Sequence, residues 1–163
     1  MSERIAVCPG SFDPVTLGHL DIMTRASKLF DRVIVLVSVN PSKCPSFSAE
    51  ERVEMIKAVT KDLANVEVDI LEGLLAEYVK KIKATAIVKG LRALTDFEYE
   101  FQQALANKKL YPDAETVFLV TSSENMYLSS SVVKQIASFG GDISDFVPDV
   151  IADKITARLK TTL

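Results

Sequence analysis

Apolar positions in this chain follow two alternating rhythms. Short, nearly unbroken apolar runs at Arg4–Cys8, Val33–Val39, Val66–Ile70, Ala86–Val88 and Thr116–Val120 predict strands. Val33–Val39 carries apolar side chains at almost every position, which suits a central parallel strand covered on both faces. Helical periodicity fills the gaps. It covers Leu17–Phe30, a stretch from Ser48 to about Leu63, Leu74–Lys83, and a stretch from Thr95 or Asp96 to about Leu110. Two more helices are predicted, one capped by Ser129 or Ser130 and one after Pro148. Ser48-Ala49-Glu50-Glu51 reads as a capping box, and Gly140-Gly141 as a helix terminus. Strands joined by helical crossovers predict an α/β fold, a doubly wound parallel sheet of five strands.

Composition narrows the picture. The 163 residues are 48% hydrophobic and 25% charged, which fits one globular domain spanning 1–163. The net charge of −3 offers no global basic field for nucleic acid or an anionic membrane. Cys8 falls in a predicted buried strand and Cys44 in a loop, a spacing that suggests neither a disulfide framework nor a metal site. A cytoplasmic setting is expected, since no signal peptide or membrane span is visible.

Ligands of doubly wound sheets bind beyond the carboxyl ends of the strands. The segments to read are therefore Pro9–His19, Asn40–Phe47, Gly73–Leu75, Lys89–Asp96 and Thr121–Ser131. They contain no G-x-G-x-x-G, no Walker A sequence and no G-x-S-x-G, and a single histidine excludes the usual zinc sets. What remains suits phosphate. His19, the one histidine, stands in Thr16-x-Gly18-His19 at a predicted helix start, where free N–H groups and the dipole favour an anion and a neutral imidazole. Gly18 would allow close approach of a ligand to the backbone. Lys43 follows the second strand, a position that lifts it above an ordinary solvated lysine. Lys89-Gly90-Leu91-Arg92 places two cations around a glycine after the fourth strand. Asp96 to Glu100 suits a helix start on dipole grounds alone. Ser129-Ser130-Ser131 supplies one cap and two further hydroxyls.

Taken together, these segments resemble the bacterial phosphopantetheine adenylyltransferases of the nucleotidylyltransferase superfamily. The resemblance rests on Pro9-Gly10-Ser11-Phe12-Asp13-Pro14 with Thr16-x-Gly18-His19, Pro41-Ser42-Lys43, Gly90-Leu91-Arg92 with Asp96-Phe97-Glu98-Tyr99-Glu100, and Ser129-Ser130-Ser131. Thr-x-Gly-His points to the superfamily, and Gly-Leu-Arg with Asp-Phe-Glu-Tyr-Glu to this branch. The resemblance implies a Rossmann-like domain that transfers the adenylyl group of ATP to 4′-phosphopantetheine, giving dephospho-coenzyme A and pyrophosphate. It implies His19, Lys43 and Arg92 as catalytic residues. By the same pattern ATP meets Ser11, Phe12, Gly18, His19, Gly90, Leu91, Arg92, Glu100 and the run Asn125, Met126, Tyr127, Leu128, Ser129, Ser130 and Ser131. The second substrate meets Ser11, Lys43, Leu75 and Lys89. Mg²⁺ riding on the phosphates, a homohexamer and feedback binding of coenzyme A are further implications.

The chain departs from the family pattern at a few positions. Ser11 stands where many members have Thr, Lys89 where many have Arg, and Asn125 and Gln135 where an aromatic residue and Glu are common. Rival readings are an adenylyltransferase or cytidylyltransferase with another phosphate acceptor, a non-catalytic nucleotide or coenzyme A sensor, and a fragment of a class I aminoacyl-tRNA synthetase. The Asp96–Glu100 stretch disfavours the first. The retained His19, Lys43, Arg92 and serine run disfavour the second. The short chain without global positive charge disfavours the third.

Overall fold

The computed structural model describes residues 3–160 apart from 41, 43 and 93. Its elements run β1 (Ile5–Gly10), α1 (Leu17–Leu29), β2 (Arg32–Ser38), α2 (Ala49–Val59), β3 (Val66–Leu71), α3 (Leu75–Lys81), β4 (Ala86–Leu91), α4 (Leu94–Leu110), β5 (Glu115–Val120), α5 (Ser130–Ser138) and α6 (Asp149–Leu159), with a 3₁₀ turn at Ser123–Asn125. The sheet is parallel throughout, in the order β3-β2-β1-β4-β5. Chain order reverses between β1 and β4, so that gap is the topological switch point.

Alternation within the strands explains why they read as continuously apolar. Ala6, Cys8, Val33, Val35, Val37, Ala86 and Val88 face one side and pack with Ile22 and Met23 of α1, Met55 and Ile56 of α2, Val133 of α5, and Ile151 and Ile155 of α6. Ile5, Val7, Ile34, Leu36 and Ile87 face the other side, against Val79 of α3 and the flanking Ala84 and Ala114. Both faces are covered, so neither can be polar.

Helix ends follow local chemistry. Ser48 and Glu51 form the expected capping box on α2. That helix stops at Val59, short of the expected Leu63: Thr60 is its C-cap, its N–H and hydroxyl both donating to the Ile56 carbonyl, and the chain then turns as the Leu63 N–H donates to Thr60 O. After α5, Gly140 adopts φ +75°. Its N–H donates to Ala137 and that of Gly141 to Ile136, at 3.0 and 2.9 Å, a Schellman closure.

Two boundaries depart from expectation. Lys89, Gly90 and Leu91 are not a loop after β4 but its last rungs, paired with Phe118, Leu119 and Val120 of β5. α4 begins at Leu94, so neither Thr95 nor Asp96 is its cap. The Asp96 carboxylate is drawn instead to Arg92.

The sheet divides at the switch point. β1 pairs with β2 as far as Gly10–Val37 and β4 with β5 as far as Leu91–Val120, but β1 and β4 pair only at Ala6–Ala86 and Val7–Ile87. The next rung would need an N–H from residue 9, and residue 9 is proline. Past that point the strands part. Beside the gap, α1 packs closely on β4 at Gly90, where an added Cβ would lie 2.9 Å from Ile22 Cγ1. Gly90 is thus a packing glycine, a role its sequence neighbours did not suggest. Gly90→Ala is predicted to cost about 1–3 kcal/mol in urea melts through overpacking. Ile22→Ala should cost less in that background than in the parent chain, a non-additivity that a double-mutant cycle measures directly.

Candidate active site

A cavity of about 360 Å³ fills the split between β1 and β4. Its walls come from both strand ends, the first turn of α1, α4, and the N-terminus of α5. His19 stands at its centre. The Thr16 N–H donates to Nδ1 at 3.0 Å, and the His19 N–H donates to Thr16 Oγ1 at 3.3 Å, a reciprocal capping box. Because Nδ1 accepts, the proton of the neutral ring resides on Nε2. Burial lowers the His19 pKa from 6.5 to about 4, and the nearby Arg92 charge adds to the shift. The expected neutral imidazole follows from burial first and from the Arg92 charge second. The expected ring of free N–H groups at α1 is not present. The Leu17 N–H donates to Phe146 O and that of His19 to Thr16, which leaves Gly18 as the one uncommitted donor of the first three among the described residues.

The loop before α1 sets the ring in place. Phe12, at φ +49°, meets His19 edge to face with centroids 5.1 Å apart. Its ring fits because Gly10 has no side chain: a Cβ there would lie 2.8 Å from Phe12 Cζ. Buried Asp13 accepts the Ser46 and Phe47 N–H groups at 3.0 and 2.9 Å and pairs with Lys134 at 3.1 Å. Arg52, only 3% exposed, donates to the carbonyls of Ser11, Ser38 and Ser48.

Cations and acids meet across the cavity. Lys89 Nζ lies 3.2 Å from Glu100 Oε2. Arg92 Nε lies 3.1 Å from Asp96 Oδ2, and Arg92 Nη1 donates to the Leu128 carbonyl at 2.6 Å. At α5 the serines divide their work. Ser129 Oγ accepts from the Val132 N–H, and Ser130 Oγ donates to Pro14 O. The Ser131 hydroxyl and the Ser130 and Ser131 N–H groups make no such bond among the described residues. The helix N-terminus open to an anion is therefore that of α5. Cys8 also lines the cavity, but burial pushes its thiol up to about 12 against the pull of Lys89, so it is inert.

The expected residues separate into groups. Phe12, Gly18, His19, Lys89, Gly90, Arg92, Glu100, Asn125, Leu128, Ser129, Ser130 and Ser131 line this cavity. Ser11 lines an adjoining cavity of about 590 Å³, which shares Ser130 and Ser131 with the first. Leu75, Leu91, Met126 and Tyr127 line neither. Leu75 packs instead on the α3 side of the core, and Tyr127 sits edge-on to Phe146. Lys43 lies outside the described residues. Sequence reading missed Asp13 and Arg52 as supports, and Thr121 and Lys134 as cavity walls. Arg52 did carry a signal: it precedes Met55 and Ile56 by three and four residues, on the inner face of α2.

Since the His19 pKa is lower in the folded chain, the unfolded chain binds more protons between about pH 4 and 6.5. Stability from this group therefore rises with pH across that window and is lost as pH falls through it. The imidazole resonances are predicted to titrate with a midpoint near 4, and His19→Gln should lose this part of the acid sensitivity in denaturant melts.

Comparison with known proteins matches these features to relatives. Residues 7–136 match the cytidylyltransferase-like family. A phosphopantetheine adenylyltransferase of Caldanaerobacter subterraneus subsp. tengcongensis is 59% identical over 157 residues, 96% of this chain and 98% of the relative. That of Dictyoglomus thermophilum is 59% identical over 150 residues, 92% of each chain. Two structures of Plasmodium falciparum nicotinic acid mononucleotide adenylyltransferase, complexed with NaAD and with APC, superpose with TM-scores of 0.73 and 0.71. Each is 16% identical and covers 96% of both chains, which speaks for the fold alone. With near-complete coverage at such identity, and with Thr16, Gly18, His19, Gly90, Arg92 and the serine run meeting in one cavity, the chain belongs to the phosphopantetheine adenylyltransferase family of nucleotidyltransferase enzymes.

Proposed function

We propose that the cavity joins ATP to 4′-phosphopantetheine, releasing pyrophosphate and forming dephospho-coenzyme A. The observation that carries this reading is the neutral Nε2 donor of His19, held at the sheet split beside Arg92, Lys89 and the open N-terminus of α5. These groups suit a reaction that builds negative charge on phosphorus. The acceptor phosphate is already ionised at neutral pH, so direct in-line attack on the α-phosphorus needs no general base. His19 Nε2–H donates to the α-phosphate as charge grows there. Arg92 and the α5 N–H groups hold the nucleotide phosphates, Lys89 meets the acceptor phosphate, and Lys43 is assigned to the reacting phosphates by the resemblance alone. Catalysis is then positioning and preorganised electrostatics.

Mg²⁺ fits this scheme as a passenger on ATP. Among the described residues no three His, Cys, Asp or Glu side chains converge, and the two cavity carboxylates face cations, so phosphate oxygens would be its main ligands. Bound there it would neutralise phosphate charge. A homohexamer is part of the same reading. In its support, α4 leaves Phe97, Phe101 and Leu105 exposed along one face, with Phe97 and Phe101 stacked at 5.5 Å. A cytoplasmic setting suits the same substrates. No helix among the described residues is long and apolar enough to cross a membrane.

Pure protein with ATP and Mg²⁺ is expected to release pyrophosphate only when phosphopantetheine is added, with dephospho-coenzyme A detected by mass spectrometry. Faster turnover with nicotinamide mononucleotide would refute the assignment. His19→Ala should lower kcat roughly 10²- to 10³-fold, as loss of one preorganised donor does, while ATP binding measured by calorimetry changes within a few-fold. Near-normal kcat in that variant would remove His19 from the mechanism.

A further inference from the structure

Both cations that β4 brings to the cavity are already engaged, and both of their partners come from α4. Asp96 and Glu100 are four residues apart, on one helix face. They meet Arg92 and Lys89 respectively. The two pairs differ in kind. Asp96 takes two N–H groups of Arg92, at 3.1 and 3.5 Å, in a pair with side chains 38% and 32% exposed. Lys89 and Glu100 are only 23% and 20% exposed. Glu100 Oε2 is cut off from solvent, and although Lys89 Nζ is 3.2 Å away, no hydrogen bond is aligned to it.

An enclosed carboxylate oxygen without a hydrogen bond is costly, and an ion pair in such a place is a poor source of stability. Folding alone therefore gives little reason to keep Glu100 charged at this wall. Function gives one. An arriving phosphate needs the same ammonium that Glu100 holds, and two anions cannot share it without repulsion.

We propose that Glu100 is a positioning residue that acts through Lys89: an internal counter-anion that holds the ammonium at the cavity wall and yields it to the phosphate of the acceptor, so that Glu100 tunes acceptor affinity. The inference rests on the reading of Lys89 as the acceptor-phosphate group. It adds an acceptor-side role to the contact with ATP implied by the family pattern. It also keeps the empty cavity from trapping stray anions on an unpaired lysine.

Glu100→Gln keeps the side-chain shape and removes the charge. Calorimetry with 4′-phosphopantetheine should give a Kd lower by roughly 3- to 10-fold, the scale of one partly exposed charge–charge interaction. Pantetheine without its phosphate should bind the variant and the parent alike, since what is freed is the Lys89 ammonium and only the phosphate answers it. In a Lys89→Ala background the gain from Glu100→Gln should vanish. Weaker or unchanged phosphopantetheine binding by Glu100→Gln overturns the proposal, as does an equal gain for pantetheine or a gain that survives in Lys89→Ala. Failure of the parent chain to bind or turn over phosphopantetheine would instead refute the assigned reaction, a result read from the same titrations before any variant is compared.

Discussion

One missing hydrogen bond organises this molecule. Parallel strands stay together while each rung has a donor, and β1 presents proline where its third rung to β4 should form. The outer pairs, β1 with β2 and β4 with β5, continue to the end of the sheet. The split therefore opens at the switch point, where the crossovers turn away to opposite faces and leave room above the strands. The other parts of the site attach to the edges of this split. His19 enters from α1, Lys89 from β4 and Arg92 from just past its end, and the serines from the start of α5.

Rigidity around the split comes from polar ties more than from apolar packing. Asp13 binds backbone donors 33 and 34 residues further along the chain, and Arg52 gathers three carbonyls from three separate segments. Such buried groups must be satisfied to be tolerated, and once satisfied they admit only one arrangement of the loops they join. Phe12 transmits that arrangement to the imidazole ring. The site is therefore built outward from the backbone, with the reactive side chain placed last.

Much of this architecture can be read from the chain itself. Apolar strands alternating with amphipathic helices are enough for a doubly wound sheet, and Ser48, Ser129 and Gly140 mark helix ends through local chemistry. The cavity is legible for the same reason: residues after strands gather at one edge of a parallel sheet. What local pattern could not reveal depends on distant partners. Lys89 and Gly90 belong to β4 because β5 pairs with them, and Asp96 leaves the cap position because Arg92 attracts it. The sequence shows Gly90 only as a phosphate glycine, and that Ile22 fills the place of its Cβ emerges from the fold. Leu75, Met126 and Tyr127 follow from family resemblance; none lines the cavity, Leu75 packing beside α3 and Tyr127 against Phe146.

The interrupted ladder also leaves something unspent. Beyond Val7–Ile87 the register directs the Val88 carbonyl and the Gly90 N–H toward a neighbour that is no longer there. β4 therefore presents an interior edge, screened from other chains by the cavity walls and so unable to recruit a foreign strand. A ligand lying in the split can complete those rungs as a strand would. Recognition of that kind is written in the main chain, and no side-chain substitution along β4 short of another proline can erase it.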